Sequence, residues 1–210
     1  HQILLNGKTA GRPILEVSIV TDSGILHVFN NHWKSKLGGA EETEPARIAA
    51  GTALKRRILE LSASDSSTEI IVLGDLNENW DEYRLNDGDY ITALMPLEDA
   101  VSLDDTGPIL ITGIKEECDP FIKQESIILY SPWCTDSEEP GTYVYNDIWK
   151  TIDHILLSPG MFNGKGFEYE SFLVFKDNFL LNTWGYPLGW RTETGYGYSD
   201  HLPILLVVKQ

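Results

Sequence analysis

Four short polar clusters stand directly beside apolar runs of this chain, at residues 30–36, 74–78, 152–154 and 199–203. They bring together aspartate, asparagine and histidine side chains. Carboxylate and amide oxygens are ligands that suit Mg²⁺, and histidine transfers protons near neutral pH. Taken together, the clusters predict metal-assisted attack of water on a phosphoester.

Each cluster taken alone has a plainer interpretation. The Gly-Asp-Leu-Asn sequence at residues 74–77 is more typical of a turn closed by an Asx hydrogen bond than of a metal site. The Asp200–His201 pair resembles a cap or a surface pair. Asp153 differs because it interrupts an apolar segment, where a buried carboxylate costs free energy unless a donor or a cation compensates it. We expect a histidine to be its partner.

The elements that must position these clusters follow from the apolar pattern. Residues 14–20 alternate apolar and polar side chains and predict a half-buried strand, paired in a hairpin with residues 25–29. A helix is predicted to begin at residues 43–45, and residues 70–73 form a wholly apolar strand of the kind buried on both faces. Strands are also predicted within residues 151–157 and 203–208. This order favours an α/β (α+β) fold with a mixed sheet and helices outside it.

Residues 103–146 are harder to interpret, because strand candidates at 109–112 and 126–130 alternate with acidic loops. We expect a surface excursion from the fold. The two cysteines of the chain, Cys118 and Cys134, lie in this segment, either as two thiols or as one disulfide. We expect the disulfide only in an exported protein.

Composition limits the classes of protein. The 210 residues, with 42% apolar and 23% charged side chains, predict one globular domain. The formal net charge of −16 excludes binding of a polyanion by bulk charge, although a bound cation would supply a local positive field. No run of roughly 18 apolar residues exists, which argues against stable membrane insertion. The acidic, lysine-poor composition and the cysteine pair favour a secreted or periplasmic location over the cytoplasm.

The four clusters, in this order, resemble the endonuclease/exonuclease/phosphatase superfamily, which includes pancreatic deoxyribonuclease, abasic-site endonucleases, neutral sphingomyelinases and inositol-polyphosphate phosphatases. The resemblance extends over about residues 12–208, with little contribution from 103–146. It implies mixed, largely antiparallel sheets flanked by helices, as part of a four-layered deoxyribonuclease-like sandwich. It also implies dependence on Mg²⁺, with Mn²⁺ as the alternative.

The resemblance assigns a role to each matching position. Asp75 and Asn77 resemble the pair that positions the nucleophile and contacts the scissile phosphate. Asp153 resembles the carboxylate that orients the catalytic histidine, His201, which is the general base on water. Asp200 is similar to the aspartate that helps to hold the metal.

The remaining site residues concern the phosphate and the substrate. His32 resembles the histidine that stabilises developing charge or protonates the leaving oxygen, and the acid role stays shared between His32 and Asp75. Lys34 is a candidate phosphate contact, or else a solvated lysine. Trp190, Arg191 and Tyr198 are candidate substrate-binding residues on a rim that stacks a base or covers a lipid headgroup; packing within the loop is the alternative.

The chain departs from the family at its start. The family's first half carries an Asn at the end of its first strand and a metal-binding Glu, and neither motif is present here. We therefore expect residues 1–210 to be the C-terminal portion of one domain, with its own N-terminal half as a partner. Alone, the chain is expected to be inactive, to bind Mg²⁺ weakly, and to leave apolar faces of strands 70–73 and 203–208 uncovered, so that it associates either with its first half or with itself.

The function these observations predict is that of a Mg²⁺-dependent phosphodiester hydrolase, a nuclease acting on nucleic acid by in-line attack of water that a His-Asp pair activates. A phospholipid or inositol-phosphate phosphatase, or a sphingomyelinase-like hydrolase, is the enzymatic alternative. A non-catalytic fragment that kept the appearance of the site is the alternative from another class.

Overall fold

The chain is described as a computed structural model, which covers residues 1–101, 103–104, 106–119, 126–135 and 137–210. Its strands are β1 (Leu4–Leu5), β2 (Lys8–Thr9), β3 (Leu15–Thr21), β4 (Gly24–His32), β5 (Glu69–Asp75), β6 (Leu94–Pro96), β7 (Ile109–Thr112), β8 (Ile127–Tyr130), β9 (Tyr143–Tyr145), β10 (Ile148–Lys150), β11 (Asp153–Leu157), β12 (Glu168–Val174) and β13 (Ile204–Lys209). Its helices are α1 (Ala40–Ser62), α2 (Glu82–Leu85) and α3 (Leu97–Ala100), with single 3₁₀ turns at Lys115–Glu117, Pro132–Cys134, Pro159–Phe162 and Asn178–Leu180.

A seven-stranded mixed sheet in the order β3-β4-β5-β11-β8-β7-β6 forms the centre of the fold. The β3/β4, β5/β11 and β11/β8 pairs are antiparallel, and the β4/β5, β7/β8 and β6/β7 pairs are parallel. Parallel neighbours need a crossover connection, and α1 supplies it between β4 and β5. The mixed sheet with helices outside it confirms the predicted fold class.

Strand β5 is covered on both of its faces. Ile70 and Val72 pack into one apolar cluster with Leu54 of α1, and Ile71 packs into the opposite cluster with Phe172 of β12. The expectation that residues 70–73 would expose an apolar face was wrong for this strand, because α1 covers one face and the β12–β13 pair covers the other.

The β12–β13 pair is a separate two-stranded sheet that leaves part of its surface open. Along β13, Ile204 and Leu206 pack inward, whereas Leu205 is 44% exposed and Val207 is 41% exposed. The expected uncovered apolar face at residues 203–208 is therefore present on the outer side of this strand only.

The described residues of the segment 103–146 do not form a surface excursion, and the expectation was wrong for them; residues 105, 120–125 and 136 lie outside the described residues. They contribute β7 and β8 to the central sheet, as two fully buried strands. Ile109, Ile111, Ile127 and Leu129 are each 0% exposed and join the same cluster as Leu54. Short, wholly apolar runs of this kind form strands buried on both faces, and the acidic loops between them masked that signal.

Helix α1 begins at Ala40, a turn earlier than the predicted start at residues 43–45. The backbone N–H of Thr43 donates to the Gly39 carbonyl oxygen at 3.2 Å, and the Thr43 hydroxyl donates to the same oxygen at 2.6 Å. These bonds close a turn ahead of Pro45, which lies inside the helix.

Cys118 and Cys134 are both free thiols. Burial raises the pKa of each thiol to about 12. Among the helices within the described ranges, none combines the length and apolar character needed to cross a membrane.

Candidate active site

Three of the predicted site residues meet because they lie at neighbouring strand ends. Asp75 ends β5, and Asp153 begins β11 directly opposite it in the antiparallel pairing. His32 ends β4 and lies beside Asp75 in the parallel pairing of β4 with β5. The central sheet therefore places two carboxylates and one imidazole on adjacent strands.

His201 reaches the same place from the segment before β13. Its Nδ1–H donates to Asp153 Oδ2 at 2.7 Å, so the predicted contact between these residues is present. Asp75, Asp153 and His201 each offer an atom able to bind a metal, and these three atoms lie within 4.8 Å of one another. No other such group of three or more acidic, histidine or cysteine side chains occurs in the part of the chain that the structure describes.

The charges in this cluster affect one another. Burial raises the pKa of Asp75, and the neighbouring Asp153 carboxylate raises it further. Burial opposes the protonated form of His201, but the hydrogen bond to Asp153 and the carboxylates of Asp75 and Asp200 outweigh it, so the pKa of His201 is raised. His32 Nε2 lies 3.6 Å from Asp75 Oδ2, within ion-pair distance, and its side chain is 46% exposed.

Asn77 lies in a turn closed by an Asx hydrogen bond, and this turn also lies at the candidate metal site. Its backbone N–H donates to Asp75 Oδ1 at 2.8 Å, which is the Asx bond of a turn. Its side-chain Nδ2 donates to the Trp33 carbonyl oxygen at 3.2 Å and so ties this turn to the His32 segment. Gly74, at φ 125°, leaves no room for a side chain, since a Cβ there would lie 2.0 Å from the Asn31 carbonyl oxygen.

The other predicted site residues lie on the surface. Asp200 is exposed and is not one of the three clustered residues, although its charge acts on His201. Lys34 is exposed and lines a shallow groove together with Arg12. Trp190, Arg191 and Tyr198 are exposed on the loop before Asp200, with Trp190 61% exposed. The functional roles of all these residues stay predictions.

The His201–Asp153 pair contacts two further residues, and the sequence analysis missed both of them. The Thr142 hydroxyl donates to Asp153 Oδ2 at 2.5 Å, and the ring of Tyr143 stacks on the His201 imidazole with 4.7 Å between centroids. Both residues belong to the segment that we expected to lie outside the fold. No local pattern around them carries a signal for this role.

A buried group of charges under the site was also missed. Glu44, Arg47 and Glu78 are 3%, 0% and 0% exposed. Arg47 Nη2 donates to Glu44 Oε2 at 2.5 Å, and its Nε lies 3.8 Å from Glu78 Oε2. Both carboxylates accept from the Ala93 backbone N–H. The group anchors the turn that follows Asp75 to helix α1.

His154 anchors the same turn from strand β11. It is fully buried, and its Nε2–H donates to the Glu78 carbonyl oxygen at 2.8 Å. Burial lowers the pKa of His154 to about 4, so this imidazole is neutral near pH 7. It lies next to Asp153 in the chain but points away from the clustered carboxylates, toward Glu78.

Solved structures similar to this chain include three proteins that are 16–18% identical to it. A mannosyl-6-phosphatase from Bacteroides thetaiotaomicron VPI-5482 is 18% identical over 90% of this chain and 53% of that chain, with a TM-score of 0.47. Beta toxin from Staphylococcus aureus is 16% identical over 97% of this chain and 59% of that chain, with a TM-score of 0.46. Sphingomyelinase C from Streptomyces griseocarneus is 17% identical over 91% of this chain and 56% of that chain, with a TM-score of 0.44. The chain thus spans little more than half of the length of each of these proteins.

A comparison with curated protein sequences returned no match. Residues 3–93 match the model of the Endonuclease/Exonuclease/phosphatase family. This segment includes His32, Asp75 and Asn77, whereas Asp153 and His201 lie beyond it. The match over residues 3–93 confirms, for that part of the chain, the resemblance to the endonuclease/exonuclease/phosphatase superfamily that the polar clusters predicted.

Proposed function

We propose that this chain carries the catalytic residues of a divalent-metal-dependent phosphodiester hydrolase, with His201 as the base that activates water. The observation that carries the proposal is the meeting of Asp75, Asp153 and His201 within 4.8 Å at the ends of neighbouring strands. The base and the carboxylates that would hold the metal must lie this close together for both to act on one phosphate.

The hydrogen bond between His201 and Asp153 supports the role of the base. Because Nδ1 carries the proton that is donated to Asp153, the neutral imidazole has its lone pair on Nε2. Nε2 can then take a proton from water as the water attacks phosphorus. The Asp153 carboxylate stabilises the imidazolium that forms, which is the task of the carboxylate in other His-Asp pairs.

The carboxylates of the cluster suit a divalent cation. Oδ2 of Asp153 accepts two hydrogen bonds, whereas Oδ1 accepts none among the described residues, so Asp153 Oδ1 and an Asp75 oxygen are the donors that would hold Mg²⁺ or Mn²⁺. The raised pKa of Asp75 fits this assignment, since a cation would relieve the repulsion from Asp153. When bound, the metal supplies charge neutralisation for the phosphate and the leaving oxygen.

The remaining predicted residues complete the proposal. Asp200 is proposed as a further metal contact, and His32 as the group that meets the phosphate on the side of Asp75. Asn77, held by its bonds to Asp75 and Trp33, would present its amide to the same phosphate. The role of acid toward the leaving oxygen stays shared between His32 and Asp75.

For the substrate we propose nucleic acid. The exposed rings of Trp190 and Tyr198 offer stacking surfaces for unpaired bases, and the exposed Lys34 beside His32 offers a phosphate contact. The same exposed rings favour a phospholipid diester as the second candidate, since aromatic side chains sit well at the headgroup level of a membrane.

We further propose that residues 1–210 form the C-terminal portion of one domain and take a further metal-binding carboxylate, that of a glutamate, from outside this segment. The cluster itself contains only two carboxylates. Strand β3, at the edge of the central sheet, also leaves Leu15, Val17 and Ile19 exposed by 57%, 42% and 44%. Such an apolar edge is suited to cover by a further part of the same domain.

A substrate panel tests the proposed function. DNA, RNA, sphingomyelin and inositol phosphates are incubated with Mg²⁺ or with a chelator. Each substrate is tested with the 210-residue chain alone and with a longer polypeptide that contains it, called here the longer product. We expect metal-dependent hydrolysis of DNA or RNA by the longer product, and its loss in His201→Ala. Hydrolysis of sphingomyelin alone would move the assignment to the second candidate, and turnover that survives chelation would contradict the proposal.

A further inference from the structure

The segment 141–143 bridges the two parts of the chain that carry the His201–Asp153 pair. The Thr142 N–H donates to the Lys150 carbonyl oxygen at 2.9 Å, and the Leu202 N–H donates to the Thr142 carbonyl oxygen at 2.8 Å. Gly141 makes the approach feasible, because a Cβ there would lie 2.4 Å from the Lys150 carbonyl oxygen. The backbone of Thr142 is thus fixed on one side to the end of β10, just before Asp153, and on the other to the residue that follows His201.

The side chain of Thr142 completes the contact with Asp153. Thr142 is fully buried, and its hydroxyl donates to Asp153 Oδ2, the same oxygen that accepts from His201 Nδ1. Two donors on one carboxylate oxygen, at 2.5 Å and 2.7 Å, leave the carboxylate little freedom to rotate about its Cβ–Cγ bond. The orientation of the acceptor that His201 meets is therefore decided by Thr142.

The side chain of Tyr143 acts on the imidazole. Its ring lies 4.7 Å from the His201 ring, centroid to centroid, at an interplanar angle of 29°. Stacking of this kind restricts rotation of the imidazole out of the plane in which Nδ1 points at Asp153. Burial and the charge of Asp200 raise the pKa of Tyr143, so the phenol is neutral and repels no group of the site.

We propose that Thr142 and Tyr143 are positioning residues for the His201–Asp153 pair: Thr142 holds the carboxylate, and Tyr143 holds the plane of the imidazole. The inference rests on the proposed function, because it explains how His201 is kept in the form with the proton on Nδ1 and the lone pair on Nε2. Both residues contact the His201–Asp153 pair and act on the reaction only through it.

Paired substitutions test the proposal. Thr142→Val removes the hydroxyl and keeps the shape, and Thr142→Ser keeps the hydroxyl. Tyr143→Leu removes the ring, and Tyr143→Phe keeps it. Circular dichroism and thermal unfolding establish that each variant is folded, and Thr142→Ala replaces Thr142→Val if the latter does not fold.

The first measurement needs no activity. Nitrogen-15 spectra of the metal-free protein, at a pH where His201 is neutral, report which ring nitrogen carries the proton. We expect the Nδ1–H form in the unmodified chain, in Thr142→Ser and in Tyr143→Phe, and a shift toward the Nε2–H form in Thr142→Val and Tyr143→Leu. An unchanged Nδ1–H form in the last two variants would overturn the proposal.

The second measurement uses the substrate found active in the panel. Thr142→Val and Tyr143→Leu should lower kcat about tenfold with KM changed less than about twofold, since the loss concerns alignment rather than binding. Thr142→Ser and Tyr143→Phe should keep kcat within about twofold of the original. Equal loss in both members of a pair would mean a structural role only. If no phosphoester is hydrolysed, the proposed function fails, and the nitrogen spectra still decide the positioning role.

Discussion

Asp153 lies directly opposite Asp75 across the antiparallel β5/β11 pair. Like charges at facing positions of a sheet destabilise it, and the pKa of Asp75 is raised accordingly by burial and by this neighbour. A sheet selected only for stability would place a cation or an apolar residue at one of the two positions. Retention of both carboxylates fits a site that holds a cation between them.

Replacing Asp75 should therefore separate stability from activity. Asp75→Asn removes the repulsion, and we expect unfolding free energy at pH 7 to rise by about 0.5–1 kcal/mol while metal-dependent hydrolysis is lost. Urea unfolding and the substrate panel measure the two effects. Asp22→Asn, the same change at an exposed turn, is the control and should alter neither. A loss of stability in Asp75→Asn would contradict the assigned repulsion.

The pKa of His201 should depend on the carboxylates of Asp153 and Asp75. In metal-free protein, the nuclear magnetic resonance midpoint of His201 should lie above that of an ordinary histidine, because the Asp153 bond and the nearby carboxylates outweigh burial. Asp75→Asn should lower this midpoint, and so should added Mg²⁺, since each reduces the negative charge that favours the imidazolium. A midpoint below the ordinary value would show that burial prevails.

His201 should be indispensable for turnover. His201→Ala is expected to lower kcat by about 10²–10⁴-fold, the range for a lost acid–base group. Only the neutral imidazole accepts a proton, so activity should fall as the pH drops through the pKa of His201 in the Mg²⁺-bound protein, which lies below the raised pKa of the metal-free protein. His27→Ala, a histidine of β4 bonded to Ser18, serves as the control. Turnover near the original value in His201→Ala would exclude it as the base.

The buried charges beneath the site should be costly to break. Arg47→Ala leaves Glu44 and Glu78 buried without their cation, which typically costs about 3–5 kcal/mol. The denaturant midpoint measures the loss, and Arg56→Ala, an exposed arginine of the same helix, is the matched control. A change below about 1 kcal/mol in Arg47→Ala would show that the two carboxylates take up protons instead.

The two thiols should react slowly in the folded protein. Burial raises the pKa of Cys118 and of Cys134 to about 12, so little thiolate is present at pH 8. We expect slow reaction with a disulfide reagent until denaturant is added, and then two thiols per chain. The number of reactive thiols in protein denatured without reductant tests this expectation. If no thiol reacts, Cys118 and Cys134 form a disulfide.

Much of the site could be predicted from the sequence, because its residues follow strands with a clear local pattern. The returning hairpin strand at residues 25–29 leads to His32, and the apolar run at 70–73 leads to Asp75. Strand ends that are neighbours in a sheet must meet. Asp153 stands out as a carboxylate inside an apolar run, and its contact with a histidine followed from the cost of burying a charge. Local chemistry pointed to these positions, whereas the family resemblance singled out His201 as the partner of Asp153 and assigned the roles.

The rest was decided by tertiary structure. Whether an apolar run such as 109–112 lies in a core depends on partners distant in the chain, here β6 and β8, and its own residues do not specify them. Thr142 and Tyr143 meet Asp153 and His201 only because the segment around Gly141 packs against Lys150 and pairs with residues 201–202. A threonine and a tyrosine in an acidic loop carry no sign of such contacts, since hydrogen bonds and ring stacking between distant segments arise only when the sheet has brought those segments together.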